Sequence, residues 1–80
     1  MGRYYFNIKE GATLIPDPDG DDLLSEAEAL MVIKETLADI AERPKTYGGL
    51  RRWMRREFVV TDEGGGTVLT VPVATILRPN

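Results

Sequence analysis

The stretch from Ser25 to Arg43 constrains this chain more than any other, because it has the pattern of one amphipathic helix. Turned by about 100° per residue, Ala27, Leu30, Ile33, Leu37, Ile40 and Ala41 fall on one broad side. Glu28, Glu35, Asp39 and Glu42 fall on the other. Ser25 and Glu28 have the spacing of a capping box, in which each side chain satisfies a backbone N–H of the first turn. Glu26 and Glu28 suit the positive end of the helix dipole, and Arg43 suits the negative end. Pro44 stops the helix by pushing the residue before it out of helical angles. A helix apolar on one side needs a second layer to cover it, and the rest of the chain must supply that layer.

The flanking segments read as strands. Tyr4, Phe6 and Ile8 alternate with Tyr5, Asn7 and Lys9, which is the period of a half-buried strand. Glu10-Gly11 turns the chain, Thr13-Leu14-Ile15 returns, and Pro16 ends the hairpin. Beyond the helix, Lys45 to Gly49 reads as a loop, and Leu50, Trp53 and Met54 have the spacing of a short helical turn. Glu57 to Thr61 is a strand, Asp62-Glu63-Gly64-Gly65-Gly66 a glycine-rich turn, and Thr67 to Val71 a returning strand. Val73 to Leu77 forms a final apolar turn against the helix edge. The expected architecture is one α+β domain over residues 1–80, in the order β-β-α-β-β. Hairpins over 3–15 and 57–71 build a mainly antiparallel four-stranded sheet, and the helix of 25–43 packs on one face. The other face would then expose Tyr5 with some of Phe58, Val60, Leu69 and Val71. Open apolar faces of that kind mark interfaces.

Composition excludes more functions than it names. Cysteine and histidine are both absent, which removes disulfides, thiolate chemistry, the commonest general base and the commonest metal ligand. Ser25 is the only serine and is committed to the helix cap. A non-enzymatic role without cofactors follows. No apolar run approaches the roughly 18 residues that span a bilayer, and the N-terminus lacks the pattern of a signal peptide, so the expected location is the cytoplasm. The net charge of −3 hides a polarity. Residues 1–42 carry three basic and ten acidic side chains, whereas residues 43–80 carry seven basic and three acidic. A molecule so divided can attract its own copies head to tail, or pair its halves internally.

Two segments are candidates for chemistry. Asp17, Asp19, Asp21 and Glu28 have the spacing of calcium-loop positions 1, 3, 5 and 12, but Asp22 stands where that loop needs glycine. The competing reading is a solvated turn beside the helix N-terminus. Arg51-Arg52-Trp53-Met54-Arg55-Arg56 combines phosphate-binding side chains with an indole that could stack on a base. Against nucleic acid stands the acidic whole, with a pI near 4.8. The alternatives are a basic surface for an acidic partner, or a core tryptophan ringed by arginines that pair with the acidic helix face.

Arg3-Tyr4-Tyr5-Phe6, Ile15-Pro16-Asp17 with Gly20, Glu26-Ala27, Glu57 to Gly64 and Leu69-Thr70-Val71-Pro72 recur in that order in a known family. The chain resembles these small bacterial proteins, common in alphaproteobacteria and classed as a domain of unknown function. It departs from them in the longer Arg-Trp segment around Leu50 to Arg56. The resemblance supports the fold and implies no activity. The first half, through the acidic helix, is also similar to the N-terminal half of the antitoxins of Hic toxin–antitoxin pairs, which sequester a small toxin.

These readings converge on a cytoplasmic protein–protein interaction module that forms a homodimer or binds a small protein partner. Tyr5, Trp53 and Phe58 are its expected contact residues, and Arg51, Arg52, Arg55 and Arg56 its basic surface. The alternative is a nucleic-acid-associated or antitoxin-like regulator using residues 51–56.

Overall fold

The computed structural model describes residues 2–77; Met1 and the last three residues of the expected domain lie outside the described residues. The long first strand, β1 (Gly2–Glu10), runs through the middle of an antiparallel sheet. It is joined to β2 (Thr13–Ile15) by a two-residue turn that opens on Gly11 at φ 60°, a value glycine adopts freely. Along its other edge lies β4 (Arg56–Thr61), which pairs in turn with β5 (Thr67–Pro72). The fold is therefore α+β, and the two expected hairpins are present.

The sheet has a fifth strand. Asp21 and Asp22, read from sequence as part of a solvated turn, join Leu23 in β3 (Asp21–Leu23), which pairs antiparallel with the start of β1, Gly2 opposite Leu23 and Tyr4 opposite Asp21. Asp17 fills the gap between the two short strands. Its carboxylate accepts the N–H of Phe6 at 3.0 Å, and Phe6 lies between Tyr4, paired to β3, and Ile8, paired to β2. Because residues two apart in a strand present their backbone groups to the same edge, β2, Asp17 and β3 together cover one edge of β1.

Helix α1 (Glu26–Glu42) matches the expected helix within a residue at each end. Its buried stripe is Ala29, Ile33, Leu37 and Ile40, with Leu30 half-buried, whereas Ala27 and Ala41 are exposed. The capping box forms differently from its expected pattern: the Ser25 hydroxyl makes no cap bond, and Glu28 Oε2 accepts from the N–H of Leu24 instead. Arg43 lies one residue past the helix and pairs with Asp39 at 3.2 Å. Register places Phe6, Ile8, Phe58, Val60, Leu69 and Val71 on the face beneath α1, and Leu23, Trp53 and Val73 complete the core. A short helix, α4 (Val73–Leu77), packs against β4 and β5 and seats Val73 fully buried.

The open face of the sheet is correspondingly polar. It carries Tyr5, Asn7 and Lys9 of β1 and Glu57, Val59 and Thr61 of β4. Phe58, Val60, Leu69 and Val71 are absent from it, because strand register turns all four toward α1. Asn7 is buried there and fully used: its Nδ2 donates to Val59 O at 3.0 Å and Thr61 Oγ1 at 3.1 Å, and its Oδ1 accepts from the N–H of Asp17.

Candidate interaction surface

Residues 44–56 connect α1 to β4 and hold most of the predicted contact residues. Pro44 opens a one-turn helix, α2 (Pro44–Tyr47), where sequence reading expected loop; a proline is tolerated at the first helical position because no partner is needed there. Gly48 closes α2 at φ 91°, its N–H on Pro44 O at 2.8 Å. Gly49 follows at φ 86°, ψ 158°, a region open essentially to glycine alone. The paired glycines reverse the chain into α3 (Leu50–Trp53), the short helical turn that residue spacing predicted.

Trp53 is the keystone of this segment, and it is internal. Only 7% exposed, it stacks on Phe58 with ring centroids 6.2 Å apart and an interplanar angle of 22°. Its indole N–H donates to Tyr47 O at 3.0 Å. The Arg56 guanidinium lies 4.5 Å from the Trp53 ring centre on one side and donates through Nε to Glu10 Oε1 at 2.7 Å on the other. This bond is the main reason the Glu10 carboxyl lies below its ordinary range; burial, the next largest influence, opposes it, and the nearby charges of Arg56, Arg52 and Arg55 add to the lowering. Arg56 is thus a brace between β1 and α3, its side chain 12% exposed.

Three predicted contact residues therefore leave the surface. Trp53 and Phe58 (4% exposed) belong to the core, and Arg56 is paired inside. Their burial depends on contacts that no local pattern announces: Trp53 with Phe58, Phe58 with β1 through Ile8, and Arg56 with Glu10. Tyr5 is half-buried on the open sheet face, against Gly20. Gly20 has φ 69°, and a Cβ built there would stand 2.9 Å from Tyr4 O and 3.0 Å from the Tyr5 ring.

Arg51, Arg52 and Arg55 remain exposed and are brought together. They line one depression of about 430 Å³ with Glu10 and Gly48. Glu10 is already taken by Arg56. Among the described residues the ion pairs are Arg3–Asp22, Lys9–Glu57, Arg43–Asp39 and Arg56–Glu10, so none of the three clustered arginines belongs to one, and the single carboxylate beside them is Glu10. Met54, 37% exposed, stands between them in sequence. We call this surface the arginine shelf. The internal pairing of arginines with the acidic helix face, weighed from sequence, is absent here.

The acidic loop has a structural occupation. Burial pushes the Asp17 carboxyl up, but the N–H groups of Phe6, Gly20 and Asp19 outweigh that and hold it below its ordinary range. Glu28 is engaged at Leu24, and Asp21 and Asp22 lie in β3. The residues of the calcium-loop pattern are thus dispersed, and among the described residues no three acidic groups converge as a metal site would require. Asp62 and Glu63 are turn residues: Asp62 Oδ1 accepts from Gly64 and Gly66, and Glu63 Oε1 accepts from the N–H of Arg3. No helix among the described residues is long and apolar enough to cross a membrane.

A five-stranded antiparallel sheet with one long helix across it defines a small α+β domain whose exposed feature is a basic shelf. The chain belongs to the family described as domain of unknown function DUF6894, which it matches over residues 3–74. That span includes all of the sheet but Gly2, together with α1 and the shelf. No curated protein and no solved structure matches the chain significantly.

Proposed function

We propose that this chain is a non-enzymatic cytoplasmic protein–protein interaction module that self-associates, with Arg51, Arg52 and Arg55 as its contact surface for acidic groups. The observation that carries the reading is the arginine shelf: three exposed guanidinium groups outside any ion pair, gathered with the one carboxylate of Glu10 on one depression and supported by Trp53, Arg56 and the Gly48-Gly49 reversal. Guanidinium is the side chain best suited to carboxylates at interfaces, because its planar fork is preorganised and weakly hydrated. Two further observations support a protein partner over nucleic acid. Trp53 is stacked on Phe58 and bonded to Tyr47 O, so it offers no platform for an unpaired base. The molecule as a whole is acidic, which repels a phosphate backbone. The lack of histidine and cysteine supports a role without catalysis, and the lack of cysteine suits a reducing compartment.

The test is sedimentation velocity on the purified chain across a concentration series at low salt, beside the variant R51E/R52E/R55E. A parallel fluorescence-anisotropy titration uses labelled single-stranded RNA and DNA oligonucleotides. Association of the wild type that the variant loses, with no oligonucleotide binding, supports the module. A wild type that stays monomeric but binds oligonucleotides, with affinity falling steeply as salt rises, overturns it for the nucleic-acid reading.

A further inference from the structure

The outer face of α1 is the chemical complement of the arginine shelf. Glu28, Glu35 and Glu42 recur every seven residues, so they stand in a row at intervals of about 10 Å on the side of α1 away from the sheet. Met31, between the first two, is 60% exposed, and Leu24, just before the helix, is 72% exposed. Ser25, Ala27, Glu28, Met31, Val32 and Glu35 border a shallow groove of about 490 Å³. None of Glu28, Glu35 and Glu42 belongs to an ion pair among the described residues. The two surfaces have opposite signs, three clustered arginines on one and a row of glutamates on the other. Among the described residues, neither set of charges forms an ion pair across to the other.

We propose that the arginine shelf of one copy docks on the outer face of α1 of a second copy. Arg51, Arg52 and Arg55 would meet Glu28 and Glu35 across the groove that Met31 borders. This rests on the self-association proposed above and names the two faces that perform it. Charge complementarity selects the occupant: the groove is apolar with an acidic rim, and the shelf is the molecule's own cluster of exposed guanidinium groups outside any ion pair among the described residues. The two faces are different patches, so the contact is heterologous. Each is small beside the roughly 800 Å² per partner of a standard interface, which places the contact in the weak, salt-sensitive class.

The test mixes two variants of the full chain, R51E/R52E/R55E on the shelf and M31R/E35R on the helix. Both change exposed positions and leave the Glu28 bond to Leu24 intact. Far-UV circular dichroism and the emission of the single tryptophan establish that each folds. In sedimentation velocity at about 50 mM salt the wild type associates and at about 0.5 M it dissociates, each variant alone is at least tenfold weaker, and the equimolar mixture recovers association. Failure of the mixture while the wild type associates overturns the docking but leaves the module standing, with its contact on another face. A wild type monomeric throughout overturns both. The milder pair R55Q and E35Q repeats the test as a double-mutant cycle; coupling of threefold or more in the dissociation constant is expected, and simple additivity of the two effects overturns the contact.

Discussion

Replacing Trp53 with alanine removes the side chain on which residues 44–56 are assembled. The indole is 7% exposed, stacked on Phe58, bonded to Tyr47 O and covered by Arg56, so its loss leaves a cavity, an unpaired Tyr47 carbonyl and an Arg56 guanidinium without its ring. Truncating a buried tryptophan costs about 3–5 kcal/mol. A domain of this length has a total stability of roughly 4–12 kcal/mol at 0.05–0.15 kcal/mol per residue, so W53A sits near the edge of folding. At about 4–8 °C per kcal/mol, the melting temperature should fall on the order of 20 °C. W53F keeps an aromatic ring on Phe58 and loses the indole N–H, at a cost of about 1–2 kcal/mol. R55A, on the exposed shelf, should stay within about 0.5 kcal/mol of the wild type. The assay is thermal and urea unfolding followed by far-UV circular dichroism. Trp53 is the only tryptophan in the chain, so emission of the wild type reports this site directly and should shift to the red on unfolding. A W53A protein melting within a few degrees of the wild type, together with native emission already at a solvent-exposed wavelength, would refute the core assignment and return Trp53 to the surface.

Three further perturbations probe what supports the shelf and the sheet. D17A leaves the half-buried Phe6 N–H without an acceptor and should cost about 1–3 kcal/mol in urea melts, whereas D19A, whose side chain is exposed, should cost almost nothing. Because the folded Asp17 carboxyl titrates below its unfolded value, its contribution is complete above the ordinary carboxylate range and is lost as pH falls through the depressed value; the gap between D17A and wild type should close in acid. G20A must adopt φ 69° with its Cβ against Tyr4 O and the Tyr5 ring, and should lose about 1–3 kcal/mol, while G64A, with nothing closer than 3.5 Å, should be nearly neutral. R56M should return the Glu10 carboxyl toward its ordinary titration range, followed by NMR of the side-chain carboxyl, because the bond that lowers it is gone.

The parts of the fold legible in the sequence are those with a local period. Alternation of Tyr4, Phe6 and Ile8 fixed β1 and its inward face, and the spacing of Ile33, Leu37 and Ile40 fixed the phase of α1. Alanines carried no such information: Ala27 and Ala41 lie outside the stripe and Ala29 inside it, because a methyl group adds little to the pattern. Strand β3 was invisible, since Asp21-Asp22-Leu23 has no strand propensity and forms only because the overhanging start of β1 supplies a partner. The same limit explains the site. That arginines cluster at 51–56 is evident from the sequence, but which of them is spent depends on Glu10, 46 residues away along the chain. Arg56 left the surface for that reason and Trp53 through its stacking on Phe58 and its bond to Tyr47 O, whereas Arg51, Arg52 and Arg55 stayed on it.

The most direct measurement is a concentration series of ¹⁵N–¹H correlation spectra of the wild-type chain at low salt, repeated at high salt. Self-association through the shelf predicts concentration-dependent shifts confined to two patches, Arg51 to Arg55 and Glu28 to Glu35, both abolished by high salt. Shifts centred instead on Tyr5, Lys9 and Leu14 of the open sheet side, or spectra independent of concentration, would contradict it.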